Sequence, residues 1–176
     1  MIIQFCGLSG AGKTTLATRV KTILNEQNIP VEIIDGDEYR KILCADLGFT
    51  KEDRNTNIRR LAFVAAKLSS YNIVSIICAI NPYEEIRKEI GLQYPNVKTV
   101  HINCSIDELL NRDTKGLYKK AMLPDTHPDK IHNLTGINDP FEAPQKPDLT
   151  VNSHLETIER SAGKLAQFIL QNYKSA

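Results

Sequence analysis

The sequence predicts an α/β fold in which a five-stranded parallel sheet carries helices on both faces. Short, continuously apolar runs rich in β-branched residues alternate along the chain with stretches in which apolar residues recur at helical spacing. Strands that are apolar throughout are typical of parallel sheets buried on both faces. With 176 residues the chain has the usual length of one domain, and we expect a single domain over residues 1–176.

Five runs are predicted strands, and Gly, Pro, Asn or Asp bounds the first four, as is usual for strands. The fifth is weaker. The predicted strands are Ile2–Cys6, Val31–Ile34, Ile73–Ala79, Val97–Ile102 and Leu149–Val151. The predicted helices are Thr14–Leu24, Asn55–Leu68, Glu84–Ile90, Ile106–Leu110 and His154–Tyr173. Because ligands bind at the carboxyl ends of the strands in such sheets, the loops after the strands should carry the chemistry.

The composition excludes several classes of protein. Lys and Arg number 22 against 21 Asp and Glu, so no basic surplus indicates a nucleic-acid partner. The four cysteines are far apart with no C-x-x-C pair, which argues against a disulfide framework or a zinc site. The first apolar run is too short for a signal peptide, and no run approaches the roughly 20 apolar residues of a membrane span. We therefore expect a cytoplasmic protein with neither a membrane nor a nucleic-acid partner.

A phosphate-binding motif follows the first predicted strand. The run Gly7–Thr14, GLSGAGKT, matches G-x-x-x-x-G-K-[ST] in full and lies between a strand and a helix, as this P-loop motif requires. Lys13 would reach the β- and γ-phosphates, and the Thr14 hydroxyl would hold Mg²⁺. No N-K-x-D motif of a GTPase is present. The sequence predicts a nucleoside triphosphate bound by Gly7, Ser9, Gly10, Ala11, Gly12, Lys13, Thr14 and Thr15.

Two carboxylates, Asp35 and Asp37, come directly after the second predicted strand. At a strand end facing a P-loop, one carboxylate can order Mg²⁺ through its waters and the other can accept a proton or hydrogen bond from an attacking hydroxyl. The alternative is a simple turn in which Asp37 caps the next helix.

Arginines cluster in the following segment of an otherwise neutral chain. Arg54 and Asn57 are three residues apart and share a helix face. Guanidinium groups suit phosphate and sulfate oxygens, although Arg59 and Arg60 also fit a structural role. Further along, the polar segment Asp113–Asp148 is too long for a passive connection, and we expect a lid over about residues 113–138.

Several motifs together resemble the adenylylsulfate kinases. The matching runs are GLSGAGKTT, IIDGDEYR, LGFTKEDRNTNIRR, KGLYKKA and LTGINDPFEAP, spread over about residues 2–148. The resemblance implies a P-loop NTPase fold and transfer of the ATP γ-phosphate to the 3′-hydroxyl of adenosine 5′-phosphosulfate (APS) in sulfate assimilation. It also implies Mg²⁺ as cofactor, ATP as co-substrate, small-molecule nucleotide substrates and a homodimer.

The resemblance also implies roles for individual residues. Asp35 and Asp37 would serve Mg²⁺ and the acceptor hydroxyl, without the two roles being divided. Arg112 would contact ATP, and Lys115 the transferring phosphoryl group or the acceptor. Phe49 would stack on the acceptor base, unless it is an ordinary core aromatic. The implied catalytic residues are Lys13, Asp35, Asp37 and Lys115, and the metal ligands are Thr14 and Asp35. The implied acceptor-binding residues are Asp37, Arg40, Phe49, Arg54, Asn57, Ile80, Asn81, Lys115 and Leu134.

Three departures from the family pattern surround the acceptor. The usual I-S-P-Y-R reads Ile80–Glu84, INPYE, which replaces a serine by Asn81 and an arginine by Glu84 and excludes covalent catalysis through position 81. The usual F-T-G-I begins with Leu134, which gives up aromatic stacking on a base. The stretch Met122–Asn133 is longer than usual, and its acid and histidines fit a solvated loop better than a metal cluster.

Two other functions stay open at this point. One is a kinase of the same fold that phosphorylates the 3′-hydroxyl of another nucleotide, such as cytidine diphosphoramidate in capsule phosphoramidate synthesis. The other is a nucleotide-binding regulator without transfer activity, which the presence of Lys13, Asp35, Asp37 and Arg54 disfavours.

Overall fold

The computed structural model describes residues 1–173 and has the predicted α/β architecture. Its five parallel strands are ordered β2-β3-β1-β4-β5. The strands are β1 Ile2–Cys6, β2 Val31–Asp35, β3 Val74–Cys78, β4 Val97–Asn103 and β5 Leu149–Asn152. The weak fifth run is a genuine strand, because it pairs with β4 from Val100–Leu149 to Asn103–Asn152.

Seven helices connect and cover the strands in this part of the chain. They are α1 Lys13–Asn25, α2 Gly36–Tyr39, α3 Lys51–Ser69, α4 Glu84–Gln93, α5 Ile106–Arg112, α6 Leu117–Ala121 and α7 Ile158–Asn172. Helices α2 and α6 were not predicted, since four and five residues are too few to show a helical period. None of the described helices is both long and apolar enough to cross a membrane.

Helices α3 and α7 begin at other residues than predicted, because side-chain caps determine where they start. Helix α3 begins at Lys51, where Thr50 and Asp53 form a reciprocal capping box. Helix α7 begins at Ile158 rather than His154, since the Thr157 hydroxyl accepts a hydrogen bond from the backbone N–H of Arg160. Residues 153–156 are therefore loop, and they lie at the carboxyl end of β5.

The sheet separates two apolar cores. On one face, α1 and α7 pack together and bury Val20, Leu165 and Ile169 with one set of strand side chains. On the other face, α3 and α4 bury Ile58 and Ile86 with the opposite set. The strand order reverses between β1 and β3, so the loops that follow these two strands lie side by side at the carboxyl edge. This switch point is where ligands bind in doubly wound sheets.

Candidate active site

The loop between β1 and α1 has the backbone that phosphate binding requires. Gly10 and Gly12 have φ angles of 76° and 90°, a region that residues with a Cβ rarely adopt. Gly7 lies so close to the carbonyl of Ile102 that a Cβ would overlap it. The loop leads directly into α1, whose free N–H groups and dipole favour an anion.

Lys13 is held at the mouth of this loop. Its Nζ donates hydrogen bonds to the carbonyl oxygens of Gly7 and Leu8 at 2.8 and 2.7 Å. Burial of the ammonium lowers the pKa of Lys13 to about 8. The side chain is thus still mainly charged at neutral pH, and an anion beside it would favour the charged form further.

The two carboxylates after β2 have different partners. Asp35 Oδ2 accepts a hydrogen bond from the Thr14 hydroxyl at 2.7 Å. Asp35 Oδ1 accepts from the backbone N–H of Asp37 and of Glu38, so Asp35, and not Asp37, caps α2. Asp37 instead pairs with Lys115 across a 2.6 Å contact, and this hydrogen bond lowers the pKa of Asp37.

A cavity of about 370 Å³ lies over the P-loop. Of the residues predicted to bind ATP, including Arg112, all except Gly7 line it. Sequence reasoning missed its far end, where Ser153, Glu156 and Ser161 contribute the wall. The sequence predicts a helix from His154 onward, whereas the structure has a loop between β5 and α7. The position of this loop directly after a strand is the signal that could have found it.

A second cleft of about 190 Å³ joins the first. The two cavities share Asp37, Ala79 and Ile80, so a group bound in one can meet a group bound in the other at this junction. Most of the predicted acceptor set lines the second cleft: Asp37, Arg40, Phe49, Arg54, Asn57, Ile80 and Asn81. Lys115 lines the first cavity instead, opposite Asp37.

Phe49 is an accessible ring and not a core aromatic. It is 52% exposed, and the guanidinium carbons of Arg40 and Arg54 lie 4.7 and 5.5 Å from its ring centre. Arg54 also donates from Nε to the Phe49 carbonyl oxygen at 3.0 Å. The cleft therefore combines one exposed aromatic face with two positive charges, which suits a base and an anionic group.

Long-range contacts fix the predicted lid segment. From α6, the buried Tyr118 hydroxyl donates to the Ser9 carbonyl oxygen in the P-loop at 2.8 Å. Arg54 donates to the Asn133 carbonyl oxygen at 2.7 Å and pairs with Asp139 at 2.9 Å. Sequence reasoning singled out Arg54 for the acceptor and missed Tyr118 and Asp139, because no local pattern reveals partners so far along the chain.

Leu134, the predicted base contact on this segment, lies in the apolar core. It is 6% exposed and belongs to the same cluster as Leu8, and it lines neither cavity. The neighbouring Gly136 has a φ of 90° and lies against the Leu8 side chain, where a Cβ would clash. A contact between Leu134 and a base stays a prediction, and it requires the segment to move.

Other polar side chains that the sequence singled out lie outside the cavities. Arg59 forms a two-pronged ion pair with Glu89, and Arg60 forms one with Asp46, which supports structural roles for both arginines. Within residues 1–173 no three His, Cys, Asp or Glu side chains, Asp125, His127 and His132 included, are grouped so that they could hold a metal ion.

Comparison with known proteins identifies the family to which this site belongs. The profile of the family described as adenylylsulphate kinase matches residues 1–152, most of the chain. The chain belongs to the adenylylsulphate kinase family. Chloroflexus aurantiacus adenylyl-sulfate kinase is 43% identical over 158 residues, which is 90% of this chain and 82% of that protein.

Further relatives agree with this assignment. A probable bifunctional SAT/APS kinase of Sorangium cellulosum is 44% identical over 93% of this chain, which spans only 27% of that protein. The structure of an APS kinase of Mycobacterium tuberculosis in complex with AMPPNP and APS aligns with a TM-score of 0.86 at 32% identity, covering 96% of each chain. The predicted family and the predicted fold are both confirmed.

The two residues that depart from the adenylylsulphate kinase pattern within Ile80–Glu84 both have structural partners. Glu84 accepts hydrogen bonds at Oε2 from Nε and Nη2 of the buried Arg87, so its charge is neutralised. Asn81 is 1% exposed, has a φ of 48°, and donates from Nδ2 to Gln4 Oε1 at 3.1 Å. Asn commonly tolerates this left-handed backbone, unlike most residues with a Cβ.

Proposed function

We propose that the chain transfers the γ-phosphate of ATP to the 3′-hydroxyl of adenosine 5′-phosphosulfate, giving 3′-phosphoadenosine 5′-phosphosulfate and ADP. One observation carries the proposal: a P-loop cavity and a cleft with an exposed aromatic ring and two arginines meet at Asp37, Ala79 and Ile80. Such a junction lets a bound hydroxyl approach a bound γ-phosphate in line. Family membership supports the same reaction.

The oxygen atoms beside the P-loop suit Mg²⁺. The Thr14 hydroxyl and the Asp35 carboxylate are already side by side, and hydroxyl, carboxylate and phosphate oxygens are the hard ligands that this ion prefers. Thr14 would bind the ion directly, and Asp35 would hold one of its waters. When bound, Mg²⁺ neutralises charge on the β- and γ-phosphates.

The chain's own residues supply positioning and positive charge. Lys13 would turn from its loop carbonyls to the β- and γ-phosphates, and Lys115 lies where it can contact the transferring group. Asp37, at the junction, would accept a hydrogen bond from the attacking hydroxyl and orient it. Because its pKa is lowered, Asp37 is a weak base, which suits a loose transition state that needs little proton abstraction beforehand.

The segment over residues 113–138 would exclude water during transfer. It already contacts the P-loop through Tyr118 and the acceptor cleft through Arg54. Closure over both nucleotides would suppress hydrolysis of ATP in the absence of an acceptor. A homodimer, a cytoplasmic location and one domain over residues 1–176 stay predictions from the sequence and the resemblance.

A second acceptor is favoured by one observation. With Leu134 in the core, Phe49 is the only aromatic side chain among the residues that line the described acceptor cleft. A base held on one side loses about 1–3 kcal/mol of stacking, which weakens the case for adenine. A 3′-kinase for another nucleotide, such as cytidine diphosphoramidate, is therefore the alternative acceptor for the same site.

The decisive experiment measures acceptor-dependent ADP release with Mg²⁺ and ATP. APS and cytidine diphosphoramidate are compared at equal concentrations, with the product identified as a 3′-phosphate by mass spectrometry. Faster turnover of APS supports the proposed function, and faster turnover of the cytidine nucleotide replaces it by the alternative. Release of ADP that no acceptor stimulates would overturn both.

A further inference from the structure

Two buried side-chain amides, those of Gln4 and Asn81, are hydrogen-bonded to each other beside the acceptor cleft. Their hydrogen-bond partners determine which end of each amide is nitrogen and which is oxygen. Gln4, on the central strand β1, donates from Nε2 to the Arg87 carbonyl oxygen at 3.1 Å and to Thr99 Oγ1 at 2.9 Å. A backbone carbonyl can only accept, so the amide nitrogen of Gln4 must face Arg87. Gln4 Oε1 therefore faces the other way, toward Asn81.

The orientation of Gln4 determines that of Asn81. Since Gln4 presents an acceptor, the Asn81 atom that meets it at 3.1 Å must be the donor Nδ2. Asn81 Oδ1 is then directed away from Gln4, and it is buried without a hydrogen-bond partner among the described residues. Leaving a buried acceptor unpaired is costly, and such a group in a native protein calls for an explanation.

The position of Asn81 indicates what could pair with this oxygen. Asn81 lines the acceptor cleft and does not line the ATP cavity. The ribose that carries the attacking hydroxyl must lie at the junction near Asp37, so the group that meets Asn81 lies elsewhere on the acceptor. An amide oxygen needs a donor, and phosphate or sulfate oxygens offer none at neutral pH, whereas amines do.

We propose that Asn81 Oδ1 accepts a hydrogen bond from an N–H group of the acceptor nucleotide and so selects amine-bearing acceptors. The inference rests on the proposed function, because it concerns the acceptor of the same reaction. Two sources of N–H share this chemistry, an exocyclic amine on the base and an amide on the terminal phosphorus. The anchoring of Asn81 fits a specificity role, since Arg87 Nη1 donates to its carbonyl oxygen at 2.6 Å.

The test combines variants that lack the Asn81 side-chain amide with acceptor nucleotides that lack the amine. For the base, kcat/KM is measured with APS and with purine riboside 5′-phosphosulfate, which lacks the exocyclic amine. For the terminal group, it is measured with cytidine diphosphoramidate and with cytidine diphosphate. In the wild-type chain we expect a preference of about tenfold for the amine-bearing member of one pair, the value of one hydrogen bond. In Asn81→Ala that preference should fall to about one.

Two further variants make the result specific. Asn55→Ala is the matched control, because Asn55 is also a buried amide with an unpaired Oδ1 but lines neither cavity. Its preference should equal that of the wild type. Should Asn81→Ala fail to fold at a φ of 48°, Asn81→Gly, which has no Cβ to strain, replaces it.

The outcomes separate the two proposals. Loss of the preference within the first pair assigns the donor to the base, and loss within the second assigns it to the terminal amide. An unchanged ratio in both pairs on going from wild type to Asn81→Ala overturns the role of Asn81 while the kinase function stands. Failure of the wild-type chain to phosphorylate any of the four acceptors would instead reject the proposed function.

Discussion

Replacement of Lys13 by Met should remove an electrostatic cost as well as catalysis. Burial lowers the pKa of Lys13 to about 8, against an ordinary value of 10.5. At about 1.36 kcal/mol per pKa unit, this difference corresponds to about 3 kcal/mol by which the charged side chain destabilises the folded state. The two carbonyls that Lys13 contacts lose a donor in the variant, and that loss does not depend on pH.

The pH dependence of the free energy of unfolding separates the electrostatic cost of the buried Lys13 charge from the loss of its hydrogen bonds. Below pH 8 Lys13 is charged in both states, so the wild-type chain carries the full cost. Between pH 8 and 10.5 the unfolded state binds more protons than the folded state, so stability rises with pH. Relative to Lys13→Met, the wild-type chain should therefore gain about 2 kcal/mol in free energy of unfolding between pH 7 and 9.5.

Urea unfolding followed by circular dichroism at several pH values measures this gain. Lys41→Met, which removes an exposed ammonium, is the control and should show no such trend. In the same series, kcat/KM for ATP in the wild-type chain should fall above about pH 8, because the free enzyme loses the Lys13 proton there. A stability difference between wild type and Lys13→Met that is constant from pH 7 to 9.5 would refute the reasoning.

Two further predictions concern ion pairs of the site. Asp139→Asn leaves the buried Arg54 without its carboxylate partner. Because Asp139 is 21% exposed, we expect the free energy of unfolding in urea to fall by about 2–3 kcal/mol, less than the usual cost of breaking a fully buried pair. A fall of less than about 1 kcal/mol would contradict a stabilising pair. Lys115→Met removes the hydrogen bond that lowers the pKa of Asp37, so the acid limb of the kcat/KM profile for the acceptor should move to higher pH. Lys115→Arg keeps a donor and a positive charge and should leave the acid limb of the kcat/KM profile in place. Equal pH profiles for Lys115→Met and Lys115→Arg would count against the pairing of Lys115 with Asp37.

The parts of the site that sequence could predict depend on local signals. Glycine spacing between a strand and a helix predicts the P-loop. The carboxylates after the second strand are predicted to face it, because parallel strands end at one edge of the sheet. The succession of strands and helices along the chain follows from apolar runs that alternate with helical periods. These features need no knowledge of which distant residues touch.

The parts that sequence could not predict depend on partners far apart in the chain. Asn81 and Gln4 are 77 residues apart, and Tyr118 and Ser9 are 109 apart. A single sequence gives the type of a side chain but not the atom it will face, so a buried amide and a solvated one look alike. The burial of Leu134 was missed for the same reason, because an apolar residue in a polar segment fits both a ligand contact and a core contact.

Asn81 and Glu84, the two replaced residues of the run Ile80–Glu84, belong to one connected buried network beside the acceptor cleft. Arg87, itself 3% exposed, donates to the carbonyl of Asn81, pairs with Glu84, and accepts from Gln4 through its own carbonyl. A change at any of these positions therefore disturbs the others, and their effects on the acceptor cannot be independent. Because the P-loop shares none of these contacts, substitutions in this network can alter the acceptor cleft while the ATP site stays constant. On the proposed role of Asn81, acceptor choice depends on this buried polar network together with the side chains that touch the nucleotide.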